Sequence, residues 1–220
     1  MSKKLFCKRK KDYLMVFKPV GQATTPGKDS NSLVEEVFKK FPRLKKVSGF
    51  APEEGGLLYR LDTDTSGLVL FACTNKAFHA FRKASYDHEI EKHYLALVKG
   101  NPKKKEGEIT LEIAHHPKSA SKMVVKAKED DKKRGKWRPA KTQYKVIKKV
   151  KGNSLVEAII YQGARHQIRA HMAAIGYPLL NDPLYAKKPV KNKTFDLTCA
   201  QVSWPAKKLI FDLKELKMKK

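Results

Sequence analysis

Six consecutive apolar residues, Leu68-Val69-Leu70-Phe71-Ala72-Cys73, follow directly on the polar stretch Arg60-Leu61-Asp62-Thr63-Asp64-Thr65-Ser66-Gly67. A short run of this kind, partly β-branched or aromatic and entered through turn residues, predicts a buried strand. The polar stretch is therefore a loop fixed directly to the core. Loops held by a rigid scaffold are where catalytic groups tend to sit. Asp62 lies two residues from Arg60, with the hydroxyls of Thr63, Thr65 and Ser66 nearby. That makes the loop a candidate reaction site; the same spacing also fits a salt-bridged, hydroxyl-rich turn.

The chain has 220 residues, 41% of them hydrophobic, which excludes a disordered protein and makes one domain the default. No apolar run approaches the length of a membrane span. The N-terminus is basic but has no long apolar segment or cleavage site, so it does not read as a secretory signal. Three cysteines, Cys7, Cys73 and Cys199, are widely spaced and form no CxxC pair. That argues against a disulfide framework or zinc ribbon and fits a reducing cytoplasm, with Cys73 and Cys199 expected as small buried hydrophobes. The charge is more telling. Forty-eight Lys and Arg against 22 Asp and Glu leave +26, an excess that points to a polyanion, because phosphate backbones release counterions to such a surface. No basic amphipathic helix with a large aromatic face speaks for a membrane surface. Nucleic acid is the expected partner.

In chain order, residues 1–11 read as a mobile basic arm. Tyr13–Phe17 is an expected strand ended by Lys18-Pro19-Val20-Gly21. Ser32 opens a helix with a capping-box pattern and apolar Leu33, Val34, Val37, Phe38 and Phe41, stopped by Pro42. Residues 43–57 are loop. Thr74 or Asn75 caps a second helix with Ala77, Phe78, Phe81 and Ala84 on its apolar face. Strands are expected at Tyr94–Val98 and Ile109–Ile113, a disordered charged loop at 126–139, and a strand pair at Thr142–Val150 and Ser154–Tyr161 around Gly152-Asn153. A third helix opens in Gly163–Met172 with Gly176 as its C-cap. Phe195–Cys199 and Lys208–Leu213 are the last strands, before a basic tail at 214–220. Strands outnumber helices and follow one another like hairpins, which implies an α+β fold with a largely antiparallel mixed sheet flanked by helices.

Arg165, His166, Gln167 and Arg169 crowd the start of the third helix. Helix starts favour anions, so two guanidiniums there suggest a phosphate site or a partner for a carboxylate such as Asp62. Arginine opposes the helix dipole at that end, and such local conflicts are expected at functional sites. The histidines match neither HExxH nor a zinc-finger spacing, so no metal is expected. Ser66 lacks a GxSxG elbow, which leaves a serine-hydrolase triad without support.

These pieces together resemble the motif series of RluA-type pseudouridine synthases: Arg60-Leu61-Asp62-x-x-Thr65-Ser66-Gly67-Leu68, Lys92-His93-Tyr94-Leu95-Ala96, Gly163 with His166-Gln167-Ile168-Arg169-x-His171, and Gly176-x-Pro178 with Asp182-x-x-Tyr185. Order and spacing match too. Lys18-Pro19-x-Gly21 resembles the family's opening strand and loop, and Ala140-x-Thr142-x-Tyr144 a later one. The likeness runs from about Asp12 to Leu213, so 12–213 is expected to be a single catalytic domain with a central active-site cleft. The resemblance implies isomerisation of specific uridines to pseudouridine in rRNA or tRNA, without cofactor; a cytoplasmic location is expected from the cysteines, and a monomer is the default. It implies Asp62 as nucleophile, Tyr94 against the base, and Arg60 filling the gap left by a flipped-out uridine. Thr65, His166, Gln167, Ile168 and Arg169 are the further expected substrate-binding residues.

Two positions depart from the family pattern. The residue after Gly163 is Ala164, where relatives place the Arg or Lys that pairs with the aspartate; Arg165, one later, is the expected replacement. Tyr59 stands where a His is common. Many relatives also carry an N-terminal RNA-binding domain, which is expected to be absent here because only about eleven residues precede the first expected core strand. The basic arm, the 126–139 loop and the tail are then expected to supply RNA affinity. The competing reading is a catalytically silent RNA-binding or chaperone protein on the same fold.

Overall fold

The computed structural model describes residues 5–27, 31–189 and 195–217. They form two compact units, one from the chain up to Lys92 together with the segment from Thr198 on, the other from His93 to Leu197.

In the first unit, β2 (Tyr13–Lys18) and β3 (Ser66–Ala72) pair antiparallel from Tyr13 opposite Ala72 to Lys18 opposite Gly67. The expected apolar run is the strand β3, and Gly67 to Ala72 are all buried. Its other neighbour is β11 (Leu197–Trp204), parallel, with Thr198 opposite Ser66 and Cys199 opposite Gly67. Gly67 makes that pairing possible. Its φ is +120°, and a Cβ there would sit 2.3 Å from the Cys199 carbonyl oxygen. β12 (Leu209–Asp212) continues antiparallel from β11.

The basic arm is corrected in part. Cys7–Lys10 is a strand, β1, paired antiparallel with β2, and Lys8 and Lys10 meet Glu215 at 2.9 and 2.7 Å. Backbone pairing and a shared carboxylate hold a segment that composition alone marks as solvated.

α1 (Leu33–Lys40) carries the complete capping box between Ser32 and Glu35 and buries Leu33, Val34, Val37 and Phe38. Pro42 ends it, as expected, and opens a 3-10 turn over Pro42–Lys46. α2 (Asn75–Tyr86) starts where Thr74 accepts from the Ala77 amide at 3.1 Å, and buries Ala77, Phe78, Phe81 and Ala84. Tyr13 packs edge-on against Phe211 at 5.4 Å, and Phe81 against Trp204 at 6.1 Å. Burial of apolar surface, such rings included, is the dominant favourable term in folding. Cys199 is buried and Cys73 half-buried.

In the second unit, β4 (Glu91–Val98, which begins at the end of the first unit), β10 (Asn153–Ile160), β9 (Thr142–Val150) and β5 (Glu106–Ile109) neighbour one another in that order. The β9–β10 hairpin turns through Lys151 and Gly152, both left-handed at φ 46° and 77°, as a tight two-residue turn requires.

Two expectations change here. The strand at Ile109–Ile113 is split: β5 ends at Ile109, and Ile113–His115 is a separate strand, β6, in another sheet. β6 is flanked by β7 (Met123–Val125) and β8 (Arg134–Arg138), so the charged segment 126–139 contains a strand. β8 is almost wholly exposed, which explains why no apolar alternation announces it. α3 (Gln167–Ala174) packs against β7. The chain is thus α+β with mostly antiparallel strands, as the sequence implies.

Candidate active site

The loop before β3 is stitched down on the inside and open at Asp62. Leu61 is buried, and both its amide and its carbonyl bond to Thr24 Oγ1, at 3.1 and 2.7 Å. The Asp62 carbonyl accepts from the Thr65 amide at 3.0 Å, closing a tight turn, and Asp62 as a residue is half-buried. Thr63 O takes two donors, the Gly21 amide at 2.9 Å and Lys18 Nζ at 3.0 Å. Ser66 shares a 2.8 Å hydroxyl contact with Thr198.

Lys18 closes this loop from below. It is fully buried, and its ammonium also donates to Pro19 O at 2.9 Å and Gln22 O at 2.7 Å. Burial pulls its pKa from 10.5 down to about 8, against the opposing pull of Asp64 and Asp62. The sequence marks Lys18 as the end of a strand and the first residue of the Lys18-Pro19-x-Gly21 motif, without assigning it a role. Its signal was the Lys-Pro-x-Gly motif, whose first residue points inward.

Arg60 is two-thirds exposed, with Nη1 3.8 Å from the buried Glu54. Burial raises the Glu54 carboxyl and the Arg60 charge counteracts it. Tyr59 is a core residue: its hydroxyl donates to Leu68 O at 2.8 Å, and the buried Lys92 ammonium stands 5.3 Å from its ring centre. Thr65 is 2% exposed, and its hydroxyl has no partner among the described residues.

In the second unit, Tyr94 is buried in β4. The Gly163–His171 motif is a turn followed by a helix. α3 begins only at Gln167; His166 caps it in a left-handed conformation, φ 54°, without its side chain bonding to the helix's first amides. Arg165 precedes the helix, is exposed, and donates to Ala120 O at 3.0 Å.

The expected cluster of basic groups around the helix start is therefore dispersed. Arg169 turns inward and grips Asp182 through two bonds, Nε at 2.8 Å and Nη2 at 2.9 Å, with its plane 4.3 Å from the Phe195 ring centre. Gln167 is buried, donating to Lys141 O at 2.9 Å and Thr142 Oγ1 at 3.0 Å and accepting from the Ala164 amide at 3.0 Å. Ile168 is buried. His166 lies 3.2 Å from the Tyr185 hydroxyl, and burial, then Arg169 and Arg165, lowers its pKa to about 4. His171 Nε2 donates to Leu111 O at 2.9 Å, which leaves Nδ1 to accept from Thr142. Ala164 packs on the cluster of Ile113, Met123 and Ala170, which gives an apolar residue a reason to stand there.

Among the described residues no three His, Cys, Asp or Glu side chains gather into a metal-binding group, and no helix is long and apolar enough to cross a membrane.

The fold and these motif positions define a pseudouridine-synthase domain. Human RNA Pseudouridylate Synthase Domain Containing 1 superposes on 95% of this chain and 82% of its own, at a TM-score of 0.74 and 20% identity. The chain belongs to the RNA pseudouridylate synthase family, whose sequence pattern matches residues 12–174, and to its RluA-type branch. It is 32% identical over 188 residues to ribosomal large subunit pseudouridine synthase D of Nitrosomonas europaea, across 84% of this chain and 51% of that protein. It is 31% identical to the dual-specificity RNA pseudouridine synthase RluA of Pasteurella multocida, across 81% of this chain and 75% of that protein. The chain spans about half the length of most of the curated relatives it matches.

Proposed function

We propose that this protein isomerises specific uridines of ribosomal or transfer RNA to pseudouridine, with Asp62 as the nucleophile. The observation that carries the reading is Asp62 itself. It occupies the aspartate position of the family motif, on a turn whose neighbour Leu61 is locked to the core while Asp62 itself is only half-buried. Isomerisation breaks the bond from N1 of the base to C1′ of the sugar, turns the base, and joins C5 to C1′. A proton leaves C5 and one is gained at N1, so the reaction balances without a cofactor. A carboxylate held in place can open the glycosidic bond without an external base to activate it.

Arg60, exposed and tethered only at 3.8 Å to Glu54, suits the role of entering the stack where a nucleotide has been everted. Tyr94 is assigned the contact with the base. Arg165 is assigned the cationic support of the carboxylate, since a guanidinium has donors beyond the one given to Ala120. Thr65, His166, Gln167, Ile168 and Arg169 are assigned to shaping the binding surface from within, because all five are buried. Residues 12–213 act as one catalytic module in the cytoplasm, and the +26 charge supplies affinity for RNA.

Incubating the purified protein with RNA from a strain lacking the gene, then mapping pseudouridine, tests this reading. Site-specific product should form with the wild type and none with Asp62→Asn, which should still bind the RNA. Product at normal yield from the variant would remove Asp62 from the chemistry. No product from the wild type on any RNA would favour the silent RNA-binding alternative.

A further inference from the structure

The solvent side of α2 carries a surface that the proposed chemistry does not use. Asn75, His79, Arg82 and Tyr86 follow one another at helical spacing and form one stripe; all four are exposed, Tyr86 by 80%. A loop is pinned along that stripe. Asn75 Oδ1 accepts from the Ser48 amide at 2.8 Å and from the Ser48 hydroxyl at 3.2 Å, and Ser48 Oγ lies 3.5 Å from His79 Nε2. Two residues further on, Phe50 is held against the same helix. Its ring centre is 5.8 Å from that of Phe78, at 70°, and the Arg82 guanidinium stands 4.6 Å from it. Phe50 is nevertheless 52% exposed. An aliphatic side chain would cover the buried Phe78 as well, so packing alone does not ask for a ring here. What the ring adds is a fixed aromatic surface beside a cation, left in water.

The charge around it has one sign. From Lys39 to Phe50 the sequence holds five Lys or Arg and no acid, and α2 holds Lys76, Arg82 and Lys83 with no acid. Glu53 and Asp87 stand at the borders, and Asp87 is taken up by Lys83 at 2.5 Å. An aromatic ring and a guanidinium in a positive field suit a nucleobase and its phosphates, because every base has a face that stacks. The loop is also joined to the catalytic turn within the same unit. The Gly56 amide donates to Ser48 O at 2.9 Å, and Glu54, four residues past Phe50, is 3.8 Å from Arg60.

We propose that Phe50 and Arg82 form a stacking platform for an unpaired base of the RNA, separate from the everted uridine, with Lys45, Lys46 and Lys76 on its phosphates. The proposal rests on RNA being the substrate and is independent of the role of Asp62.

The test follows the fluorescence anisotropy of two labelled probes, an oligoadenylate of about 12 nucleotides and an RNA duplex of about 12 base pairs. The oligoadenylate has no uridine to occupy the Asp62 turn. Phe50→Leu should bind it about 10-fold more weakly at an unchanged salt slope, and bind the duplex within about twofold of the wild type. Arg82→Gln should weaken oligoadenylate binding and lower the salt slope by about 0.7. Phe50→Trp should keep the affinity, and its added emission should be quenched as oligoadenylate binds. That quenching decides the matter even if Phe50→Leu melts early, and its absence overturns the platform. Wild-type affinity of Phe50→Leu for the oligoadenylate overturns it too, as does an equal loss on the duplex. Oligoglutamate that displaces the probe as well as free oligoadenylate would make this a surface for acidic polypeptide instead. Binding that depends on Phe50, with no pseudouridine formed by the wild type on any RNA, keeps the platform and removes the synthase reading. Product from the wild type with binding indifferent to Phe50 does the reverse.

Discussion

Asp182→Asn separates a scaffold role for Arg169 from direct contact with RNA. Arg169 and Asp182 are 3% and 0% exposed at their side chains and share two bonds of 2.8 and 2.9 Å. Asp182 Oδ1 also accepts the amides of Leu184 and Tyr185 at 3.0 and 3.2 Å. Asparagine retains an oxygen for those two amides but turns an NH₂ or a neutral oxygen toward the guanidinium. The change therefore isolates the charge. Removing one partner of a buried pair strands the other and costs about 3–5 kcal/mol. With a urea dependence of about 2 kcal/mol/M, the unfolding midpoint falls by roughly 1.5–2.5 M at unchanged slope. The assay is urea unfolding followed by circular dichroism at pH 7. The double replacement Arg169→Met with Asp182→Leu should recover most of the loss, since a well-packed apolar pair removes the stranded charge. Activity of each variant should follow its folded fraction. A midpoint within about 0.5 M of the wild type in Asp182→Asn would refute the energetic argument. A double variant that is stable and fully folded yet fails to bind RNA would show that Arg169 touches RNA directly.

Two further outcomes follow from the geometry. Gly67→Ala forces a Cβ to within 2.3 Å of the Cys199 carbonyl at φ +120°, so the melting temperature should drop by a stability loss of about 3 kcal/mol or more; an unchanged melt would mean that β3 and β11 are not in parallel register there. His166 has a folded pKa of about 4 against 6.5 unfolded. Between those values the unfolded chain binds the extra proton, so stability is lost as pH falls from 6.5 toward 4, by up to about 3 kcal/mol. His166→Gln should flatten that part of the urea-midpoint profile, and an equal slope in both proteins would contradict the assignment.

Much of the first unit was legible because its signals are local. The capping box at Ser32, the Thr74 cap and the run from Leu68 each depend on residues within a few positions. β1 and β8 were not legible, because neither is selected by burial. Cys7–Lys10 gains its place through the backbone of β2 and through Glu215, more than 200 residues away; Arg134–Arg138 pairs with β6 while its side chains stay mostly in solvent. The break after Ile109 was missed because Thr110, Leu111 and Glu112 preserve an alternating pattern that two different sheets interrupt.

The candidate site shows the same limit in sharper form. Polar residues at a helix start look like ligands in a sequence, since the usual alternative is a solvated face. In α3 all six residues from Gln167 to Met172 are buried. The polar ones are tolerated because each finds a partner on another segment: Gln167 on Lys141 and Thr142, Arg169 on Asp182, His171 on Thr142 and Leu111. None of those partners lies within ten residues of its donor or acceptor in the helix, so no local pattern announces them. Buried polar groups must be paired, and the pairs fix side chains more tightly than apolar packing does. A motif rich in Gln, Arg and His can thus mark the frame that holds a site as readily as the site itself. The two roles divide by exposure. Asp62, Arg60 and Arg165 keep access to solvent, whereas Lys18, Thr65 and the inward face of α3 do not. Under the proposed activity, the first group is the one placed to touch RNA. On the same proposal the second group acts through what it holds in place, so its variants should lose rate through geometry and stability rather than through binding.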